Sequence, residues 1–239
     1  LVYKQIPALE IMEKQGKAER WVWGITIFLV LIGIAIVVRR LTFLSLMGLS
    51  GNTVPVKSRV PDDGFAAHPQ LTLIHIAAGL LFVLLAPLQF VKRIKDNYPK
   101  IHRTTGYVVL ISGLIIGVTA LIMGAIMAVG GITETLAVTT FGVLSLFSLM
   151  RAYLYILKRE FDLHREWMIR VLAIGLAVTT TRPIMGIFFA TSKLTGLTVQ
   201  QFFGIAFWIA FILHISFAEY WIRKTRKKYY ADMPPMRVV

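Results

Sequence analysis

Six apolar runs punctuate the chain, at about 21–40, 70–91, 104–129, 135–157, 166–190 and 200–222. Each holds about 20 residues or more, enough to cross a hydrocarbon core at a rise of about 1.5 Å per residue. The pattern predicts an all-α integral membrane bundle of six transmembrane helices. It forms one transmembrane domain over residues 1–239, with no soluble catalytic unit beside it. Trp21 and Trp23 introduce the first run as an interfacial aromatic pair, and its uncharged interior suits a peripheral helix. The longest connection, about 41–69, opens with an apolar stretch, Leu41 to Leu49, that suits the membrane interface. It continues through the turn formers Pro55, Pro61, Asp62, Asp63 and Gly64. Pro69 then suits the first turn of the second helix.

Two of these runs are versions of each other. Ile101-His102-Arg103 leads into Val109, Leu110, Gly113, Leu114, Thr119, Met123, Gly124 and Ala128. At a constant offset of 62 residues, Leu163-His164-Arg165 leads into Val171, Leu172, Gly175, Leu176, Thr181, Met185, Gly186 and Ala190. The offset also carries the second run onto the fourth in topology. We therefore expect an internal repeat of two hairpins, helices two–three and four–five, with His102 and His164 at one membrane level. Gly113, Gly117, Gly124, Gly175 and Gly186 suit close helix contact.

Composition agrees, with 56% hydrophobic residues and a mean hydropathy of +0.70, above the soluble norm. The net charge of +14 would suggest a nucleic-acid partner in a soluble protein, but here its placement explains it. Eighteen basic residues sit in the N-terminal segment, the 92–103 and 158–165 loops and the tail, against five on the opposite connections. That asymmetry places both termini in the cytoplasm, and no nucleic-acid partner is expected. The first run is too long for a signal peptide and lacks a small-residue cleavage site, so it reads as a span. With no cysteine, the chain has no disulfide, catalytic thiolate or iron–sulfur ligand of its own.

Ionisable residues inside a bilayer are functional hypotheses by default. On the outer side His75 lies about 8 Å and Arg182 about 12 Å inside their helices, with His68 one repeat before His75. On the inner side Arg151, Arg170 and His214 lie about 8–12 Å deep, above His102 and His164 and near the level of Gln89 and Glu219. Three readings are open. Pairs drawn from His75, His102, His164 and His214 suit the iron of a haem b, with Arg151, Arg170 or Arg182 pairing with its propionates. The same groups suit a quinone head or a lipid phosphate. His-Arg at a helix start also suits a plain interfacial anchor. Arg151 and Arg170 at one depth repel each other, and Glu219 alone does not neutralise both, so an outside anion is expected between them. There is no His-Glu-x-x-His motif, Walker loop or GxGxxG fingerprint. Carboxylates are too few in the spans for a proton relay.

One series stands in order: His68-Pro69 with His75 and Gly79; Pro87-Leu88-Gln89-Phe90; His102-Arg103-x-x-Gly106; His164-Arg165-x-Trp167-Met168-x-Arg170; and Arg182. It resembles the bacterial predicted membrane proteins grouped as domain of unknown function 2306, over about residues 68–185. The resemblance implies the fold, the importance of these positions and a bacterial cytoplasmic membrane, but no reaction. The layout also resembles cytochrome b561-type di-haem proteins in general form. It departs from them because the fourth helix has no histidine and His75 has no clear partner except His68. One bis-histidine site is thus more in keeping than two. The leading expectation is a redox-linked membrane protein binding haem b or quinone. The alternative is a non-catalytic accessory subunit of a larger membrane complex. A small-solute transporter is supported only by the repeat.

Overall fold

A computed structural model describes residues 6–50 and 63–231; side chains are described for residues 16, 18–46 and 64–226. Its helices are α1 (Ile6–Ser50), α2 (Asp63–Ala67), α3 (Pro69–Leu85), α4 (Lys92–Asn97), α5 (Pro99–Ile126), α6 (Gly131–Leu157), α7 (Phe161–Thr195) and α8 (Val199–Ala231). A 3-10 turn, Pro87–Phe90, follows α3. Among the described residues, six segments are long and apolar enough to cross a membrane: Ala18–Leu46, Pro69–Phe90, Pro99–Ile126, Gly131–Leu157, Phe161–Thr195 and Val199–Arg226. They coincide with the six apolar runs, and no strand occurs among the described residues.

Three boundaries differ from the sequence reading. The stretch from Leu41 continues α1 to Ser50 rather than forming an interfacial segment. No proline or glycine interrupts 41–47, so the intrahelical ladder carries on and Arg40 lies inside a helix, not at its end. Pro87 does more than kink the second span. With no N–H to bond back along the helix it ends α3, and the chain tightens into the 3-10 turn, where Gln89 N–H donates to the Ala86 carbonyl at 3.2 Å. Asp63 and Gly64 begin a short helix instead of a turn. Pro55, Pro61 and Asp62 lie outside the described residues. Pro69 opens α3, and α7 passes unbroken through Pro183.

α7 is the centre of the bundle and packs against α1, α3, α6 and α8, while α5 lies between α3 and α6. The first span is the least buried of the six, as expected of a peripheral helix. One apolar cluster joins α6, α7 and α8 through Phe141, Ile174, Phe203, Ala206, Phe207 and Phe211. A second joins α3, α5, α6 and α7 through Phe82, Val109, Leu149, Met168 and Val171. Phe82 reaches both halves of the proposed repeat, because it packs beside Gly113 on α5 and Gly175 on α7. A Cβ at Gly175 would stand only 2.5 Å from Phe82 Cε1, so that crossing requires glycine. Gly186, by contrast, meets open space, and close packing is not its role. At the basic end, Glu166 of α7 accepts from Arg226 of α8, Nε to Oε1 at 2.8 Å.

Candidate functional site

Between the two apolar clusters lies a cavity of about 240 Å³. It is walled by α1, α3, α5, α6, α7 and α8, with Phe65 of α2 at one end. Its inner wall is apolar, formed by Phe82, Val171, Ile174, Phe207 and Phe211 with Gly79 and Gly113. Four charged or titratable residues line it: Arg40, His75, Glu134 and Arg182. All four belong to the half of the bundle away from the basic loops, where α5 and α7 end and α6 begins. Ligand pockets commonly combine apolar walls with a few convergent polar groups, often between the helices of a bundle.

Each polar group is held by local structure. His75 Nδ1 lies 2.8 Å from Thr119 Oγ1 on α5. That hydroxyl stands 2.6 Å from the Ile115 carbonyl and 3.2 Å from the Ile116 carbonyl, both of which can only accept, so its one proton is assigned to the backbone. His75 Nδ1 is therefore the donor, and in the neutral ring Nε2 carries the lone pair. Glu134 is buried in the first turns of α6, where Oε2 accepts the Gly130 N–H at 2.6 Å. The carboxyl thus satisfies an otherwise orphaned donor at the helix start, and it lies within electrostatic reach of Arg182. Arg182 Nη1 also approaches Met185 Sδ at 3.7 Å. Arg40 is buried on α1, its guanidinium carbon 3.7 Å from the Phe65 ring centre and 5.9 Å from that of Phe43.

The expected outer cluster is thus partly assembled. His75 and Arg182 share the cavity, whereas His68 is exposed at the start of α3 and does not line it. Arg40, Glu134 and Thr119 escaped the sequence reading. Arg40 read as a flanking charge because the first span was drawn too short. Glu134 read as lying beyond the fourth span. Thr119 stood out only as a match in the repeat. A lone carboxylate at the head of an apolar run was the signal available for Glu134.

The inner cluster is wired differently from the expectation. Arg170 is already paired: its Nε meets Glu219 Oε1 at 2.6 Å and its Nη2 meets Oε2 at 3.2 Å. Because α8 packs on α7, a carboxylate 49 residues away lands on the guanidinium. Arg151 Nη2 donates to the Tyr155 hydroxyl. Its guanidinium carbon lies 4.8 Å from the Tyr155 ring centre and 5.5 Å from that of Trp167, and Arg170 sits 4.4 Å from the same indole. A carboxylate thus answers Arg170, while aromatic faces flank Arg151. Arg151 Nε is buried without a hydrogen-bond partner.

His214 does not join the arginines; its Nε2 is 2.8 Å from Thr180 Oγ1, which ties α8 to α7. His102 and His164 each take the fourth position of their helix, α5 and α7, and lie within electrostatic reach of one another. Their partners differ. His164 Nδ1 is 2.9 Å from the Ala152 carbonyl, and because that oxygen can only accept, Nδ1 carries the proton. His102 Nδ1 is buried without a partner. Gln89 Nε2 donates to Thr105 Oγ1 at 2.7 Å, tying the 3-10 turn to α5. No group of three or more His, Asp or Glu placed to hold a metal ion occurs among the described residues.

The family DUF2306, described as predicted membrane protein, matches residues 72–222. No curated protein and no solved structure matches the chain. The match takes in five of the six spans, together with His75, Glu134, Arg182 and the Arg170–Glu219 pair. The chain is thus an integral membrane protein and belongs to the predicted membrane protein family DUF2306.

Proposed function

We propose that this membrane protein binds a membrane-dissolved molecule of the quinone class, with its polar head at His75, Glu134, Arg182 and Arg40 and its apolar part against Phe82, Val171 and Phe211. The reading makes the protein redox-linked, in a bacterial cytoplasmic membrane with both termini in the cytoplasm. The cavity carries it: an apolar chamber inside the bundle whose polar groups gather at one end. Membrane-embedded ionisable groups that face a shared cavity are the usual mark of a ligand or proton site.

Gly79 supplies the test. It lines the cavity on the same face of α3 as His75 and Val83, and a Cβ there would meet nothing within 4 Å. At Gly79→Leu the Cβ has room, the rest of the side chain extends into the chamber, and a mid-helix glycine is removed. In lipid nanodiscs, a benzoquinone with a decyl tail should bind the unaltered protein, as read by calorimetry or native mass spectrometry. The Gly79→Leu protein should melt at the same or a higher temperature and lose that binding. If Gly79→Leu binds the quinone as well as the unaltered protein does, the cavity is not the site.

A second reading, a b-type haem held through His102 and His164, is supported by the His164 Nδ1–H bond to the Ala152 carbonyl. Metal-bound histidines commonly donate their second ring N–H in this way, leaving Nε2 for the iron. A reduced b-type absorption band that disappears in His164→Leu supports it. Protein that carries no such band and no quinone points instead to the accessory-subunit reading.

A further inference from the structure

The wiring of His75 constrains which oxidation state of a quinone-class ligand the cavity takes. With its single proton assigned to the backbone carbonyls of Ile115 and Ile116, the Thr119 hydroxyl can only accept from His75 Nδ1 at 2.8 Å. That fixes the tautomer from behind. The ring lines the cavity, and among the described residues no hydrogen-bond partner meets Nε2. The group that His75 offers to a ligand is thus a lone pair, which a carbonyl oxygen cannot satisfy and a hydroxyl can, while Arg40 and Arg182 line the same chamber as donors. The Glu134 carboxyl is a second acceptor in the same chamber, with Oε2 held by Gly130 N–H.

We infer that the cavity selects a hydroxyl-bearing head, the hydroquinone or a phenol, over the corresponding quinone, with the ligand O–H donating to His75 Nε2 and Thr119 acting as the residue that sets the imidazole tautomer. This rests on the quinone-class reading above and adds the form that is bound. A quinone carbonyl facing His75 Nε2 would set two lone pairs against each other and leave the nitrogen unsatisfied in a low-dielectric chamber. Thr119 touches no ligand in this scheme, since it does not line the cavity. It is a positioning residue.

The test uses the full chain in nanodiscs with three probes sharing one decyl tail: the benzoquinone, its hydroquinone kept anaerobic, and the dimethyl ether of the hydroquinone. The hydroquinone should bind about tenfold or more tightly than either of the others, as expected where a site is built around a ligand hydroxyl. Thr119→Val removes the acceptor behind the ring. The Nδ1-protonated tautomer would then hold an unsatisfied buried donor, so the proton moves to Nε2 and the ring offers a donor to the cavity. The preference should fall to parity or invert toward the quinone. Thr119→Ser keeps the hydroxyl and should keep the preference. Should Thr119→Val fail to fold, His75→Leu removes the acceptor itself and should abolish the preference while the decyl tail still binds. Equal binding of the quinone and hydroquinone, or tighter quinone binding, by the unaltered protein overturns the inference and leaves the quinone-class reading standing. A hydroquinone preference that survives both Thr119→Val and His75→Leu overturns it as well. If none of the three probes binds, the parent reading fails and takes this inference with it.

Discussion

Glu219→Leu is the perturbation that most directly tests how the inner charges are balanced. Arg170 grips Glu219 through two hydrogen bonds, at 2.6 and 3.2 Å, with side-chain exposures of 15% and 34%. Removing one partner of a fully buried pair costs about 3–5 kcal/mol, because a charge is left without an answer. An exposed pair is worth about 1 kcal/mol or less. Glu219 is about a third exposed, so we expect a loss of about 2–3 kcal/mol for Glu219→Leu, between those limits. Arg170→Leu should cost a comparable amount, because it strands the Glu219 carboxylate within the span Val199–Arg226. The double variant should return to within about 1 kcal/mol of the unaltered protein, since neither charge is then stranded. Reversible unfolding in mixed micelles, run as a double-mutant cycle, reads the coupling. Additive single effects, with a coupling below about 0.5 kcal/mol, would refute the pair as the neutralising element. So would full rescue of Glu219→Leu by anionic lipid alone, which would restore the case for an outside anion between Arg151 and Arg170.

Other outcomes follow from the same geometry. Gly175→Leu should destabilise the bundle by about 1–3 kcal/mol by driving a side chain into Phe82. Gly186→Ala, which meets open space, should be neutral or stabilising by up to about 1 kcal/mol in the same unfolding assay. His214→Leu should cost about 1 kcal/mol through the lost bond to Thr180 yet leave quinone-class binding intact; loss of binding would show that His214 belongs to the ligand site. For orientation, Lys95→Cys in the cysteine-free chain should resist an impermeant thiol reagent in intact cells while Leu194→Cys reacts, and the reverse pattern would invert the topology.

The six spans were legible because hydropathy is summed along a helix and needs no knowledge of neighbours. The peripheral place of the first span and the start of α3 at Pro69 were legible for similar reasons, being local in sequence. The grouping of His75 with Arg182 was partly legible too: counting residues put both on the outer side, about 8 and 12 Å inside their helices, and they share a cavity. Counting residues does not say which way a side chain points around the helix. Arg151, Arg170 and His214 were therefore grouped by depth, although only the two arginines meet, over Trp167, while Arg151 bonds Tyr155, Arg170 bonds Glu219 and His214 turns to Thr180.

The sequence alone determined that this is a six-span helical membrane protein, and it singled out His75, Arg151, Arg170, Arg182 and His214 as ionisable residues within the spans. Only the tertiary structure decided that Glu219 answers Arg170, that Glu134 and Arg40 join His75 and Arg182 around one chamber, and that Thr119 holds the His75 ring. The reason is physical. Crossing the membrane depends on the apolar free energy of a single helix, whereas neutralising a charge or leaving a cavity depends on the rotation and contact of several helices at once. Those are set by packing, as where Gly175 lets Phe82 reach between α5 and α7.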